Sequence, residues 1–190
     1  MLDEKEFEEI KAQFEAFDEK REAIIKESRD ILKKSKQAIY SVHRDDIEKA
    51  KRLLSEAESV KRKLEKEINS DTSLRTGGFS HALEEYVEAA TFLHFLEKGK
   101  ILTMKSMGVT PEEYLGGLAD LTGELCRRAV IMATKNESEA VKLIHEAVEG
   151  IYGQFVKFDF RNGDLRRKYD SIKYNLQKVE RILYDLGIKK

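Results

Sequence analysis

The sequence predicts an all-α protein, a single-domain antiparallel bundle of about six or seven helices, and three observations carry that expectation. One proline stands in 190 residues, tryptophan is absent, and Glu, Lys, Leu and Ala abound, a composition suited to long helices. Apolar residues recur at steps of three and four over most of the chain, the period of a helix face. No stretch is rich in Pro, Gly or Ser and none is of low complexity, so residues 1–190 read as one domain.

The elements follow in order. From Leu2 to about Ser41, the residues Phe7, Ile10, Phe14, Phe17, Ile24, Ile31 and Leu32 mark a long amphipathic helix. From about Arg44 to Ile68, a second apolar face contains Ile47, Leu53, Leu54, Ala57, Val60, Leu64 and Ile68, and the two form an antiparallel pair. Asn69-Ser70-Asp71-Thr72-Ser73 is a turn or helix start, and Gly77-Gly78 is a further break before a helix from Phe79 to Leu96. Gly99 and Gly108 bound a short segment. Thr110-Pro111-Glu112-Glu113 then supplies an N-cap, a proline at the first helical position and a capping-box glutamate, fixing the start of a helix that ends near Lys135. Asn136-Glu137-Ser138-Glu139 ends that helix and caps the next, which carries Val141, Ile144, Val148, Ile151 and Phe155. Gly163-Asp164 opens a last helix to Leu186. Its Leu165, Tyr169, Ile172, Leu176, Val179, Leu183 and Leu186 form an a/d seam, which serves either packing within the bundle or a subunit interface.

Five acids interrupt the most apolar stretches. Glu84, Glu85 and Glu88 fall within Phe79 to Leu96, and Asp120 and Glu124 within Tyr114 to Ala133. A carboxylate buried without a partner neutralises, pairs with a cation or binds a metal. At about 100° per residue, Glu85 and Glu88 lie about 60° apart and Asp120 and Glu124 about 40° apart, so each pair can address one spot. Glu84 is about 100° from Glu85 and reads as a surface or salt-bridging residue. Gly116, Gly117 and Gly123 share a face with Asp120 and Glu124, which implies either close helix packing or room for an ion, water or substrate. Two facing helices with two carboxylates each would make an oxygen-only site, suited to Mg²⁺ or Mn²⁺ rather than zinc. The same acids can instead pair with Arg127 or Arg128. No histidine has a glutamate three residues before it, as a ferritin-like di-iron centre needs.

Charge is unevenly spread although the total is −1. Residues 1–20 hold three lysines against eight acids, a net of −5, and residues 157–190 hold ten basic residues against five acids, a net of +5. A local basic surface is therefore compatible with the neutral total. The single Cys126 makes no intramolecular disulfide, no run of about 18 apolar residues is present, and the N-terminal residues lack a signal-peptide core, which together predict a cytosolic protein without membrane partners. No P-loop, cysteine nucleophile or zinc arrangement is found.

Leu83-Glu84-Glu85-Tyr86-Val87-Glu88-Ala89-Ala90 and Tyr114-Leu115-Gly116-Gly117-Leu118-Ala119-Asp120-Leu121-Thr122-Gly123-Glu124-Leu125 resemble two segments of the translin and TRAX (translin-associated factor X) family. Asp164 to Tyr174, Val179-Glu180 and Tyr184-Asp185-Leu186 resemble the translin C-terminus. The likeness covers most of residues 79–188, with Asp-Leu-Thr-Gly-Glu its most specific part. It implies an all-helical bundle assembling into hollow, typically octameric shells, alone or with a translin-like companion subunit, and binding RNA or single-stranded DNA. The TRAX-type branch is a divalent-metal endoribonuclease whose catalytic, metal-holding acids fall on Glu85, Glu88, Asp120 and Glu124. Arg75, near a segment the family uses for nucleic-acid binding, and Arg127, on the acidic face, are the candidate nucleic-acid contacts. The sequence reading is thus a Mg²⁺- or Mn²⁺-dependent endoribonuclease, with a non-catalytic RNA or single-stranded DNA binder as the alternative and a purely structural scaffold as a third.

Overall fold

The computed structural model describes residues 2–161 and 163–188. Among them are seven α-helices and no strand: α1 (Glu4–His43), α2 (Ile47–Ser70), α3 (Gly77–Lys98), the single turn α4 (Met104–Met107), α5 (Pro111–Thr134), α6 (Ser138–Phe155) and α7 (Asp164–Ile188). A turn of 3₁₀ helix, Thr72–Leu74, joins α2 to α3. The two C-terminal lysines counted in the basic end lie outside the described residues, as do Met1 and Asn162. No helix among the described residues is long and apolar enough to cross a membrane.

Local chemistry sets the boundaries. Asp3, Asp46, Thr76, Thr103 and Thr110 each accept a backbone N–H at a helix start. Thr110 and Glu113 complete the expected capping box, with Pro111 in the first turn. Gly99 and Gly108 close α3 and α4 in the left-handed conformation, at φ 67° and 63°. Two expectations need correction. Gly77-Gly78 is the first turn of α3 rather than a break before it, because Thr76 caps the helix and satisfies its leading donors. Residues 136–139 follow the end of α5 with Asn136 at φ 58°, but α6 starts at Ser138 and the preceding Glu137 makes no side-chain cap.

The packing order is simple. α1 lies against α2 and α3, α3 against α5, and α5 against α6 and α7, which also touch each other. α3 and α5, the two helices with interior acids, are thus neighbours at the centre. Their contact is made by glycine. A Cβ on Gly117 would stand 2.5 Å from the Glu84 carbonyl oxygen and 2.7 Å from Val87 Cβ, and one on Gly116 would stand 2.8 Å from the Glu84 carboxyl group. Those two glycines serve close helix packing. Gly123 has only an ordinary contact, 3.7 Å to Asn175.

The seam of α7 is largely internal: Ile172, Leu176 and Val179 are buried and Tyr169, Leu183 and Leu186 half-buried against the same core, while Leu165 is half-buried at the cleft beside Lys168. By contrast, the first five turns of α1 project from the bundle. Phe7, Ile10 and Phe14 are exposed, and burial begins at Ile24.

Replacing Gly117 with Ala therefore destabilises the fold by about 1–3 kcal/mol through backbone overlap, whereas Gly153→Ala, where a Cβ meets nothing, stabilises it by about 0.5–1 kcal/mol. Urea unfolding of the two variants checks the opposite signs.

Candidate functional site

The α3–α5 contact brings both acidic pairs into one electrostatic neighbourhood. Glu88 is buried, and its carboxyl is pushed up to about 9, first by burial and then by repulsion from Glu85, Asp120 and Glu124. A single group thus senses the other three expected acids. No cation lies within ion-pair distance of Glu88 among the described residues, although Lys168 pulls its value down from farther away.

The remaining acids have partners from outside α3 and α5. Lys168 of α7 donates to both Asp120 and Glu84. Burial acts against that ammonium charge, but its two carboxylate bonds prevail and raise its pKa. Glu84 is therefore a salt-bridging residue, seated on Gly116. Lys36 of α1 lies 3.3 Å from Glu85, and His81 lies 3.9 Å from it. At the end of α1 the buried His43 donates through Nε2 to Glu124, while its ring packs on Phe92 at a centroid distance of 4.9 Å. That bond is the main cause holding Glu124 below the usual carboxylate range, and Arg127 at 3.7 Å adds to it. The other ring nitrogen, Nδ1, is buried without a partner.

The Asp-Leu-Thr-Gly-Glu segment explains itself within this frame. Leu121 enters the core while Asp120 and Glu124 face the acidic neighbourhood. The buried Thr122 hydroxyl donates to the Ala119 carbonyl and accepts from Asn175 Nδ2 at 2.9 Å, tying α5 to α7 at the centre of the segment. A cleft of about 500 Å³, lined by Glu84, Gly116, Phe160, Arg161 and Lys168 among others, opens beside Lys168.

The candidate arginines sit in different settings. Arg127 is more than half exposed beside Glu124. Arg75 donates to the buried Glu113 and lies over the Phe79 ring at 5.4 Å, so it locks the start of α5 to the start of α3. Arg128 does not pair with the interior acids. It reaches Asp45 at 2.6 Å, in the α1–α2 turn where Asp45 has φ 60°, and this bond is the main cause of the lowered Asp45 pKa.

Chemically, carboxylates on two neighbouring helices are donor types suited to a hard divalent cation. Among the described residues, no three Asp, Glu, His or Cys side chains are disposed to hold one ion together, since the acids turn toward Lys168, Lys36 and His43. The donor types fit such an ion, and the repulsion from neighbouring carboxylates that adds to burial in raising Glu88 is what a cation would relieve. His43 and Lys168 were not singled out from sequence. His43 lies 81 residues from Glu124, and Lys168 lies 48 from Asp120, so no local spacing announces either contact.

A helical bundle with paired carboxylates on adjacent central helices defines the class. Within it, the Translin family profile matches residues 19–190, and this chain belongs to that family. It is 29% identical to Translin from Bos taurus over 121 residues, 56% of this chain and 53% of that protein. It is 28% identical to the Translin-associated protein X homolog of Schizosaccharomyces pombe over 141 residues, 70% of this chain and 60% of that one. The chain therefore spans little more than half the length of these curated relatives. The apo-NeC3PO crystal structure superposes with a TM-score of 0.88 at 25% identity, covering 98% of both chains. AfC3PO bound to duplex RNA superposes at 0.84 and 23% identity, covering 97% of this chain and 98% of that one.

Two outcomes separate the site's electrostatics from its scaffold. Because Glu88 binds a proton more tightly folded than unfolded, metal-free stability falls as pH rises between about 4.5 and about 9. Glu88→Gln should therefore match the native Tm near pH 4.5 and exceed it by at least about 3 °C at pH 8.5, as calorimetry in EDTA can read. Arg75→Ala leaves the buried Glu113 carboxylate with the Thr110 N–H but without its counter-charge, and should cost about 1–3 kcal/mol in urea unfolding, whatever happens to nucleic-acid affinity.

Proposed function

We propose that this protein is an RNA-binding, divalent-metal-dependent endoribonuclease. The observation that carries the reading is the close α3–α5 packing at Gly117, which buries Glu88 and leaves Glu85, Asp120 and Glu124 near enough to act on its carboxyl. It supports convergence of the acids that the family resemblance assigns to catalysis.

Glu85, Glu88, Asp120 and Glu124 would hold Mg²⁺ or Mn²⁺. Such an ion supplies positive charge to the non-bridging phosphate oxygens and lowers the pKa of an attacking water. The protein's own groups divide the remaining work. Glu124, kept anionic by His43 and Arg127, is a fixed negative ligand. Glu88 carries a proton near neutral pH until positive charge enters, and is the acid of the set suited to exchanging one with the reacting water. Lys168, released from Asp120, would offer its ammonium group to a phosphate at the mouth of the adjoining cleft. Arg127 adds an exposed guanidinium on the same face. RNA as the substrate class is supported by AfC3PO, which is bound to duplex RNA in its own structure. Assembly as a homo-oligomer, or with a translin-like subunit, follows the same relationship, and the protein would act in the cytosol.

A non-catalytic RNA or single-stranded DNA binder is the second reading, favoured by one observation. Lys168, Lys36 and His43 already compensate Asp120, Glu85 and Glu124 without any added ion.

Cleavage of a labelled single-stranded RNA in Mg²⁺, Mn²⁺ and EDTA decides between them. Metal-dependent cutting that disappears in both Asp120→Ala and Glu124→Ala, with binding retained, is the expected result. Bound but intact RNA in the native protein selects the second reading; turnover surviving in both variants removes the assignment of these acids.

A further inference from the structure

An apolar hollow of about 450 Å³ lies between α5, α6 and the segment that follows α3, and none of the acids proposed to hold metal lines it. Its volume falls in the range of small-molecule sites. Ile101, Leu118 and Ile151 give it an aliphatic floor, and Tyr114, Phe155 and Phe158 wall it with aromatic rings.

The walls are pre-formed. Phe158 stacks on Phe160 at a centroid distance of 5.4 Å, and Phe160 packs in turn on Phe155 at 5.7 Å. The Tyr114 hydroxyl donates to the Leu102 carbonyl at 2.6 Å. Rings held in this way need little further ordering when a ligand arrives. A glycine keeps the hollow open. Gly150 lines it from within α6, where an added Cβ would meet nothing within 4 Å, so no close approach of another helix requires glycine there. Glycine inside a helix costs about 1 kcal/mol relative to alanine, and at this position its effect is to leave space.

Charge selects the occupant. Glu146 is the one charged residue of the lining, and it makes no hydrogen bond or ion pair among the described residues. Lys142, one turn before it, donates to Glu139 at 2.7 Å instead. The Gln154 side chain accepts from Lys157 at 2.9 Å, so that lysine is engaged as well. A free carboxylate beside aromatic rings, whose faces carry negative potential, attracts positive charge and repels anions. An inorganic cation finds no oxygen ligands on an apolar floor to replace its water. An organic ammonium ion meets both conditions, because its body can be buried while its nitrogen stays at the rim.

We infer that this hollow binds an organic ammonium ion, with a compact apolar body seated between α5 and α6 and the charged nitrogen at Glu146. The site is independent of the nuclease chemistry proposed above.

Equilibrium dialysis of naphthylmethylamine, naphthylmethanol and naphthylacetate against the protein at neutral pH tests it. Saturable binding is expected, with the amine about tenfold tighter than the alcohol and the acid weakest. Glu146→Gln should cut the advantage of the amine at least about threefold and leave the alcohol unchanged. Gly150→Leu, which favours the helix and fills the hollow, should abolish binding of all three with unchanged circular dichroism. If that bulkier variant unfolds, Glu146→Gln, an exposed change, decides alone. Equal affinity for amine and alcohol overturns the inference and marks a general apolar contact surface. So does an amine preference that survives Glu146→Gln, amine binding that survives Gly150→Leu, or the absence of saturable binding at millimolar concentration.

Discussion

Everything about the interior acids depends on how closely α3 and α5 approach. At Gly117 the α3 backbone occupies the space a side chain would need, with the Glu84 carbonyl 2.5 Å from an added Cβ. That approach places Glu85 and Glu88 on one side of the contact and Asp120 and Glu124 on the other, within reach of one another's charge. Burial then separates their chemistry. Glu88, the most enclosed, is driven toward the neutral form, while Glu124, bonded to His43, is driven toward the anion. A pair of carboxyl groups with opposed proton affinities thus arises from burial at one and a hydrogen bond from α1 at the other.

The counter-charges come from the outer helices. Lys36 and His43 reach in from α1, and Lys168 reaches in from α7. The four-helix arrangement is thereby tied together by charge as well as by its apolar core. Arg128 and Asp45 perform a similar task at the α1–α2 turn, and Arg75 and Glu113 at the entry to α5. In both, a mostly buried charged group has a single counter-charge, a geometry in which loss of the partner costs more than the pair contributes.

Much of this was legible in the sequence, for physical reasons that differ by element. The α5 start was readable to the residue because Thr110, Pro111 and Glu113 act within one turn of chain. The acidic pairs were readable because helical spacing alone puts each on one face. Whether the two faces meet was not, since that depends on α3 and α5 being neighbours and on glycines whose alternative use was to leave room. The bare half of α1 was also hidden: an amphipathic pattern reports that a face is apolar, not that anything in the same chain covers it. His43 and Lys168 escaped notice because a lone histidine at a helix end and a lysine in a basic run look like solvated residues until the fold closes.

Lys168 gives the site a property that carboxylates alone would lack. Its ammonium group is a resident counter-ion on a flexible leash, so under the proposed metal-dependent function the arrival of an ion would be an exchange rather than a simple addition. A monovalent ion would replace one unit of charge with another and lose two hydrogen bonds in doing so. A divalent ion gains a unit, and the displaced amine remains at the rim. Under that proposal the leash would act as a valence filter, discriminating between cations before their size or preferred geometry is consulted.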